Sequence, residues 1–232
     1  MENGEKSFHK LLDILELVAS DTRSRSVKEI ADTLQLPEST VYRILKCLIR
    51  RDYIERGSGG VLLGSGCLHL GVMAQEQNLL PRLAHNELMK LASETLETVH
   101  LAKFHGDSIV YIDKYEGGRS IRMGSMVGRS SPLHCTGIGK AMLSALSDRE
   151  LHERLARLKL ERFTETTICD SDALLAELLV SRKRGYAIDD NEHEQGVYCI
   201  AAPVTDRNGK VVAGLSIAGF SLNLKPNTES LA

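Results

Sequence analysis

The segment LPESTVYRILKCLIR, residues 36–50, decides how the first part of the chain folds. Its apolar residues recur at intervals of three and four, which places them on one face of a helix: Val41, Ile44, Leu45 and Leu48. Another face of the same helix carries hydroxyl and basic side chains: Ser39, Arg43, Lys46 and Arg50. Pro37 suits the first turn, because the amide hydrogen that proline lacks would have no partner there. We therefore expect a helix with one buried face and one cationic face.

Two more helices are expected before this segment. Their apolar stripes are formed by Phe8, Leu11, Leu12 and Leu15, and by Val27, Ile30, Ala31 and Leu34. The second helix begins near Ser26, because Ser26 and Glu29 have the S-x-x-E spacing of a capping box. Only residues 35–37 separate the second stripe from the third helix, which predicts a tight helix-turn-helix.

A glycine-rich turn follows at residues 57–60, between the strand-like runs 53–56 and 61–63. Glycine adopts the positive φ angles that hairpin turns require, so these runs are expected to form the wing of a winged helix-turn-helix. Between residues 43 and 56, five Lys and Arg residues stand against two Asp and Glu residues, a local charge of +3 in a chain whose net charge is −2. Positive charge is thus concentrated where a nucleic acid would bind.

We therefore predict that the N-terminal domain binds double-stranded DNA. In such domains the recognition helix contacts base edges, while the wing and the helix end hold phosphates. The expected base contacts are Ser39, Thr40 and Arg43, and the expected backbone contacts are Lys46, Arg50 and Arg56. Tyr42 belongs to the same candidate surface. One alternative stays open at this point, because a three-helix module can instead bind another protein.

The length and composition fit two globular domains. A chain of 232 residues exceeds the usual size of one domain, and 42% hydrophobic with 26% charged residues is ordinary for a soluble protein. No window approaches the roughly 20 apolar residues that span a bilayer, and residues 1–10 lack a secretory signal pattern, so we expect a cytoplasmic protein without a membrane partner. The five cysteines lack CxxC spacing, which predicts reduced thiols and no metal site.

The rest of the chain predicts a linker helix and an α+β domain. Residues 66–77 have a helical pattern, and Pro81 opens a further helix with an inner side formed by Leu83, Leu88, Leu91 and Ala92. Strands are expected at 100–104, 109–115, 121–126, 197–204 and 211–218. Helices are expected at 138–145, 148–158 and 171–183. The predicted domains are a winged helix-turn-helix at 1–64, a linker helix at 65–79 and an antiparallel-sheet domain at 80–232.

The segment TGIGK, residues 136–140, is the most informative motif of the second domain. It is not a phosphate loop, because His134 stands where the Walker pattern needs glycine and Ala141 where it needs a hydroxyl. Met142 replaces the third glycine of a dinucleotide fingerprint, so we expect no nucleotide cofactor. The glycines run into a helix at Ile138, whose unpaired amides and positive end suit a carboxylate. Close packing alone is the alternative explanation for these glycines.

Other polar residues of this domain are expected to be structural. An acidic run consists of Asp189, Asp190, Asn191, Glu192 and Glu194. It does not fit an EF-hand calcium loop and is expected to be mostly a solvated loop. Asp189 is the exception, because it ends a strand that is expected to be buried. His100 and His105 are five residues apart on one strand, so they face opposite sides and cannot share a metal. Cys135 and Cys199 are expected to be small core residues. No nucleophile, base and orienting group occur together, which disfavours the alternative that this domain is an enzyme.

Several motifs together resemble the IclR family of bacterial transcriptional regulators. Residues 36–45 resemble its DNA-binding domain, and its effector domain is resembled by residues 132–141, 185–189, 194–204 and 212–217. The pattern is nearest to the branch that regulates sugar-acid use, that of 2-keto-3-deoxygluconate. The resemblance implies a curved antiparallel sheet with helices on one side and a pocket in the concave face. It also implies a repressor, a homodimer or homotetramer, that binds an operator and needs no cofactor.

The resemblance further implies which residues bind a small organic acid, of the sugar-acid or keto-acid class, as effector. These positions fall here on Gly137, Ile138, Asp189, Cys199 and Ser216. A second serine of the family's last strand is replaced by Ala218, which removes one hydroxyl from the expected pocket. Similar regulators continue into another helix after the last strand, whereas this chain stops at Ala232.

Overall fold

The computed structural model describes residues 3–118 and 124–232, with side chains from residue 5 onward. The chain divides into two compact units, Met1–Asn78 and Leu79–Ala232. The helix that was expected to be a separate linker is grouped with the first unit. That unit consists of α1 (Asn3–Ala19), α2 (Val27–Leu34), α3 (Glu38–Ile49), β1 (Ile54–Gly57), β2 (Gly60–Leu63) and α4 (Ser65–Gln77).

The first unit is built around the buried face of α3. All four apolar residues of its predicted stripe are buried, together with Ile30 and Ala31 of α2. The capping box at the start of α2 is present, because the Ser26 hydroxyl accepts from the Glu29 amide and the Glu29 carboxylate accepts from the Ser26 amide. Pro37 lies one position before α3, at its N-cap. The predicted helix-turn-helix is confirmed.

The predicted apolar stripe of α1 was wrong in two of its four members. Phe8 is 71% exposed and Leu12 is 49% exposed, whereas Ile14 and Val18 are buried. Leu11 and Leu15 belong to both candidate stripes, so the spacing alone did not distinguish one face from the other. Packing of α1 against α2 and β2 selects the face that carries Ile14 and Val18.

The wing hairpin is hydrogen-bonded to the loop before α2. β1 and β2 pair in an antiparallel register from Ile54↔Leu63 to Gly57↔Gly60, and Arg25 exchanges two backbone hydrogen bonds with Val61, of 3.1 and 2.9 Å. Gly60 has a φ angle of 155°, and a Cβ there would lie 2.1 Å from the Arg25 carbonyl oxygen. Glycine is therefore required where the hairpin contacts the backbone of Arg25.

The second unit contains a six-stranded antiparallel sheet in the order β5-β4-β3-β8-β7-β6. Its strands are β3 (Thr98–His105), β4 (Ser108–Tyr115), β5 (Ser130–Pro132), β6 (Ala187–Asp190), β7 (Val197–Thr205) and β8 (Val211–Phe220). Its longer helices are α5 (Leu79–Thr95), α6 (Gly137–Ser144), α7 (Asp148–Leu155) and α8 (Ser171–Arg184). The predicted α+β class with an antiparallel sheet is confirmed.

Alternating residues of the strands contribute side chains to two apolar clusters, one on each side of the sheet. On one side α6, α7 and α8 pack against small residues such as Ala102 and Ala201. On the other side α5 packs against Val99 and Ile200. The short helical turns that follow β8 contribute to the same cluster. Those turns are α9 (Ser221–Leu224), a 3-10 turn (Lys225–Asn227) and α10 (Thr228–Leu231), so the chain does turn into helix after its last strand.

Two further expectations for this unit were inaccurate. Leu83 is 79% exposed, so the inner face of α5 is carried by Leu88 and Ala92 with Leu91 beside them. The expected strand at 121–126 lies partly outside the described residues, and its described end, 124–126, is not a strand. The sequence pattern also did not predict the short strand β5, whose three residues are too few to show an alternation.

Replacement of Leu178 by alanine tests how α8 packs against α6. Leu178 is fully buried, whereas the neighbouring Leu179 is 49% exposed. We expect Leu178→Ala to lower the free energy of unfolding by about 2 to 5 kcal/mol, because a cavity replaces buried methyl groups. Leu179→Ala serves as the matched control, with a change below about 1 kcal/mol. Urea denaturation followed by circular dichroism measures both, and equal losses would contradict this packing.

Candidate functional site

The polar face of α3 is open to solvent in the first unit. Ser39, Tyr42, Arg43, Lys46 and Arg50 are exposed, as is Arg56 on β1, while Thr40 is half-buried. Among the residues described, the basic side chains of this group form no ion pair and no side-chain hydrogen bond. The buried side of α3 holds the helix in place, so its basic side chains remain available to an external anion.

A cavity of about 350 Å³ lies in the second unit, between the sheet and the first turn of α6. The five residues expected to bind an effector all line it, and so does Ala218. The strand register explains this convergence. Ala218 pairs with Cys199, which pairs with Asp189 on β6, and Ser216 pairs with Ala201. Residues directly opposite one another in a sheet point to the same face, so the polar members of these rows face one space.

The first turn of α6 presents backbone amides to this cavity. The Thr136 hydroxyl caps the helix by accepting from the Gly139 amide at 3.2 Å. The amides of Gly137 and Ile138 have no partner in the described part of the chain. A helix N-terminus carries partial positive charge, so these two amides form a suitable site for a carboxylate.

Gly137 allows a close approach of α6 to β7. A Cβ at Gly137 would lie 3.1 Å from the Cβ of Cys199 and 3.3 Å from the Cβ of Ala201. Close packing and carboxylate binding are therefore compatible explanations of the glycine, because the contact with β7 also places the first turn of α6 next to the cavity.

Asp189 is the most strongly perturbed carboxyl group of the cavity. It is only 2% exposed, and burial raises its pKa to about 7, although the Glu192 amide donates to its Oδ1 at 2.8 Å and favours the charged form. The charge of Glu192 adds to the increase in pKa, and Lys140 opposes it. Asp189 therefore changes charge near neutral pH.

The acidic run after β6 is not the solvated loop that was expected. Glu192 is buried and forms an ion pair with Lys140 of α6, which is fully buried. The hydroxyls of Thr164 and Thr167 donate to the carbonyl oxygens of Asn191 and Glu192, each at 2.7 Å. The sequence pattern did not reveal this pair, because the two residues are 52 positions apart. The loop is thus anchored behind the cavity.

His100 also lines the cavity, a position that sequence reasoning missed. It is 4% exposed, its Nε2 lies 2.6 Å from the Ser125 hydroxyl, and its ring centroid lies 5.1 Å from that of Tyr111. Burial, assisted by the charge of Lys114, lowers the pKa of His100 to about 3, so its imidazole is neutral at physiological pH. Strand alternation alone predicts which residues share its face, and not that this face borders a cavity.

The two thiols next to the start of α6, Cys135 and Cys199, are not activated as nucleophiles. Burial raises the pKa of Cys135 and Cys199, so both remain protonated at neutral pH. Within residues 3–118 and 124–232, no group of three or more His, Cys, Asp or Glu side chains is arranged to hold a metal ion. No described helix is both long enough and apolar enough to cross a membrane.

Comparison with known proteins identifies both units. The IclR helix-turn-helix domain model matches residues 7–58, and the model of the bacterial transcriptional regulator IclR C-terminal domain matches residues 73–231. The HTH-type transcriptional regulator KdgR of Dickeya chrysanthemi is 37% identical over 214 residues, which cover 91% of this chain and 70% of KdgR. The HTH-type transcriptional repressor AllR of Escherichia coli (strain K12) is 33% identical over 225 residues, 96% of this chain and 83% of AllR.

A solved structure supports the same assignment. The crystal structure of Thermotoga maritima IclR matches with a TM-score of 0.67 and 32% sequence identity, and the match covers 98% of this chain and 94% of that one. KdgR is named a transcriptional regulator and AllR a transcriptional repressor, and neither is named an enzyme. The chain therefore belongs to the IclR family of DNA-binding bacterial transcriptional regulators.

Proposed function

We propose that this protein is a cytoplasmic repressor that binds an operator through α3 and the wing, and whose operator affinity changes when a small organic acid occupies the cavity of the second unit. The observation that carries the proposal is the row of exposed, unpaired basic side chains on α3, next to a buried face that fixes the helix. The repressor role is supported by the similarity to AllR, which is named a repressor.

The proposed DNA contacts divide into two kinds. Arg43 lies in the first half of α3 and is assigned to a base edge together with Ser39, Thr40 and Tyr42, whereas Lys46, Arg50 and Arg56 are assigned to phosphates. Arginine suits this role, because its planar guanidinium can donate two parallel hydrogen bonds to a guanine. Phosphate contacts release counterions, so operator affinity should fall steeply with salt.

Self-association is supported by apolar side chains that the first unit leaves exposed. Phe8 of α1 and Leu68 of α4 are each 71% exposed, Leu70 is 53% exposed, and no residue of α4 is buried. Leu68 and Val72, which is 43% exposed, lie one turn apart on the same face of α4. A contiguous apolar patch in solvent is typical of a surface that associates with another chain. A homodimer, or a tetramer of two dimers, would bind an operator with two-fold symmetry.

Replacement of Arg43 by alanine tests the base contact. We expect Arg43→Ala to weaken binding to the upstream region of the protein's own gene by roughly 5-fold to 150-fold, because about 1 to 3 kcal/mol of base discrimination is lost. Fluorescence anisotropy at several salt concentrations measures the affinity. Lys159→Ala, which removes an exposed positive charge from the second unit, is the matched control. Unchanged affinity and specificity of Arg43→Ala would exclude the base contact, and an affinity that is independent of salt would favour a protein-binding module.

The effector proposal places the carboxylate of an organic acid at the free amides of Gly137 and Ile138, with Asp189, Cys199 and Ser216 around it. A bound anion next to Asp189 favours the protonated form of Asp189, so binding takes up a proton wherever Asp189 is ionised in the free protein. Since the pKa of Asp189 is raised to about 7, acid affinity should be highest below pH 7 and fall above it.

This pH dependence is tested with Asp189→Asn. The probe is pyruvate, a small keto acid. We expect the affinity of the wild-type protein for pyruvate to fall by up to about tenfold for each pH unit above 7, because at most one proton is coupled to binding. Asp189→Asn retains a hydrogen-bonding group without a charge that titrates, so its affinity should stay level between pH 6 and pH 8.5. Isothermal titration calorimetry measures both. Identical pH profiles of the two proteins would contradict the proposed place of the carboxylate.

The hydroxyl of Ser216 provides a second test of the same site. We expect Ser216→Ala to weaken pyruvate binding by about tenfold, the effect of one lost hydrogen bond to a charged group. Ser93→Ala, which removes a hydroxyl from the exposed side of α5, should leave binding unchanged. Thermal shift across a concentration series reports both affinities, because a ligand that binds only the folded state raises the melting temperature. Equal behaviour of the two variants would remove Ser216 from the site.

A further inference from the structure

We propose that Arg25 is a positioning residue for operator binding, which holds the wing hairpin in the place from which Arg56 contacts a DNA phosphate. Arg25 lies in the loop before α2 and does not itself touch the DNA. The inference rests on the proposed function, because it takes Arg56 to be a phosphate contact. It adds a residue that acts on the operator only through the wing.

One residue of the wing connects Arg25 to Arg56. Val61 of β2 exchanges two backbone hydrogen bonds with Arg25, and it is the register partner of Arg56 on β1. The wing turn also lies close to this loop, since a Cβ at Gly59 would lie 2.9 Å from the Ser24 hydroxyl oxygen. Arg25, Val61 and Arg56 therefore form one row across the wing, and the position of the loop sets the position of β1.

The side chain of Arg25 attaches this row to the end of α1. Its Nη2 donates to the Ser20 hydroxyl at 3.1 Å and lies 3.7 Å from Oδ2 of Asp21. The Ser20 hydroxyl donates in turn to the Leu17 carbonyl oxygen at 2.9 Å. Only 13% of the Arg25 side chain is exposed, so its guanidinium is poorly placed to contact a phosphate directly. Since α1 and α3 share one apolar cluster, this attachment fixes the wing relative to α3.

Stability alone does not explain an arginine at this place. The Nε of Arg25 is buried and has no hydrogen-bond partner in the described part of the chain. An unpaired buried donor costs free energy, and an apolar side chain of similar length would be buried without that cost. The arginine is better explained by the directed hydrogen bond of its Nη2, which holds the loop in one orientation.

Arg23 of the same loop provides a matched comparison. Its side chain is 55% exposed, and it forms ion pairs of 2.8 Å with Asp21 and Glu29. None of its hydrogen bonds among the described residues reaches the wing. Exposed pairs of this kind contribute little and are screened by salt. Removal of Arg23 therefore takes the same charge from the same loop and leaves the row from Arg25 to Arg56 intact.

The test measures how the operator affinity of the full-length protein depends on salt. The probe is a DNA duplex from the upstream region of its own gene, and fluorescence anisotropy gives Kd between about 50 and about 300 mM salt. We expect Arg25→Met to weaken binding about 3-fold to 10-fold and to reduce the slope of log Kd against log salt by about 0.9 per bound chain, as for one lost phosphate contact. Arg25→Lys, which keeps a cationic donor, should retain most of the affinity, and Arg23→Met should match the wild-type protein.

A milder variant and the melting temperatures separate positioning from folding. Ser20→Ala removes the hydroxyl that accepts from Arg25 at the exposed end of α1, and it should reduce the salt slope in the same direction by a smaller amount. Melting temperatures of the free variants show whether each one is folded at the assay temperature. A purely structural role of Arg25 would lower the melting temperature and leave the salt slope of the folded protein unchanged, which would overturn the inference.

Combination with Arg56→Ala shows whether Arg25 acts through the wing. If it does, the double variant that carries Arg25→Met and Arg56→Ala should bind no more weakly than Arg56→Ala alone and have the same salt slope. Two additive losses would mean that Arg25 contacts the DNA independently of Arg56, and they would overturn the inference.

The failures of the two proposals are distinguishable. If Arg56→Ala leaves the salt slope unchanged, the proposed phosphate contact of the wing is excluded, and the role of Arg25 is excluded with it. If Arg56→Ala reduces the slope but Arg25→Met and Ser20→Ala do not, or if Arg23→Met reduces it as much as Arg25→Met, only the inference about Arg25 is overturned.

Discussion

The second unit depends on how closely α6 approaches the sheet. Gly137 rests on Cys199 and Ala201, and Cβ contacts there would be 3.1 and 3.3 Å. Below the helix, a Cβ at Gly214 would lie 2.7 Å from the Ile138 side chain, which leaves no room for a larger residue. This close approach brings the unpaired amides of the first helical turn to the cavity. The proposed anion site therefore depends on backbone packing more than on any charged side chain.

The charged groups around that helix form a connected set. Lys140 is fully buried three residues after Gly137 and is neutralised by Glu192, whose amide in turn donates to Asp189. A buried charge without a partner is costly, so Lys140, Glu192 and the loop after β6 are held together. An anion that binds next to Asp189 consequently acts on a group whose hydrogen-bond partner belongs to that loop. This is a physical route by which ligand binding can change the energy of one particular loop conformation.

The sequence predicted best what depends on local pattern. Sequence pattern predicted the apolar stripe of α3, the capping box at Ser26 and the wing turn, because each depends on residues within one helix or hairpin. The buried face of α1 was misassigned, because two overlapping stripes satisfy the same period and only tertiary packing chooses between them. The burial of Glu192 and the place of His100 were missed, because they depend on Lys140, on Ser125 and on the order of strands that are distant in sequence. The joint placement of Gly137, Asp189, Cys199 and Ser216 came from the family resemblance and not from their spacing.

The most direct measurement of the central claim is an amide NMR titration of the isotopically labelled protein with pyruvate. If the first turn of α6 binds a carboxylate, the amide signals of Gly137 and Ile138 should shift progressively and saturate together at the concentration at which calorimetry reports binding. The amide of Gly139 provides an internal reference, because the Thr136 hydroxyl already accepts from it, and it should shift less. Saturable pyruvate binding that leaves the Gly137 and Ile138 amides unmoved would contradict the account.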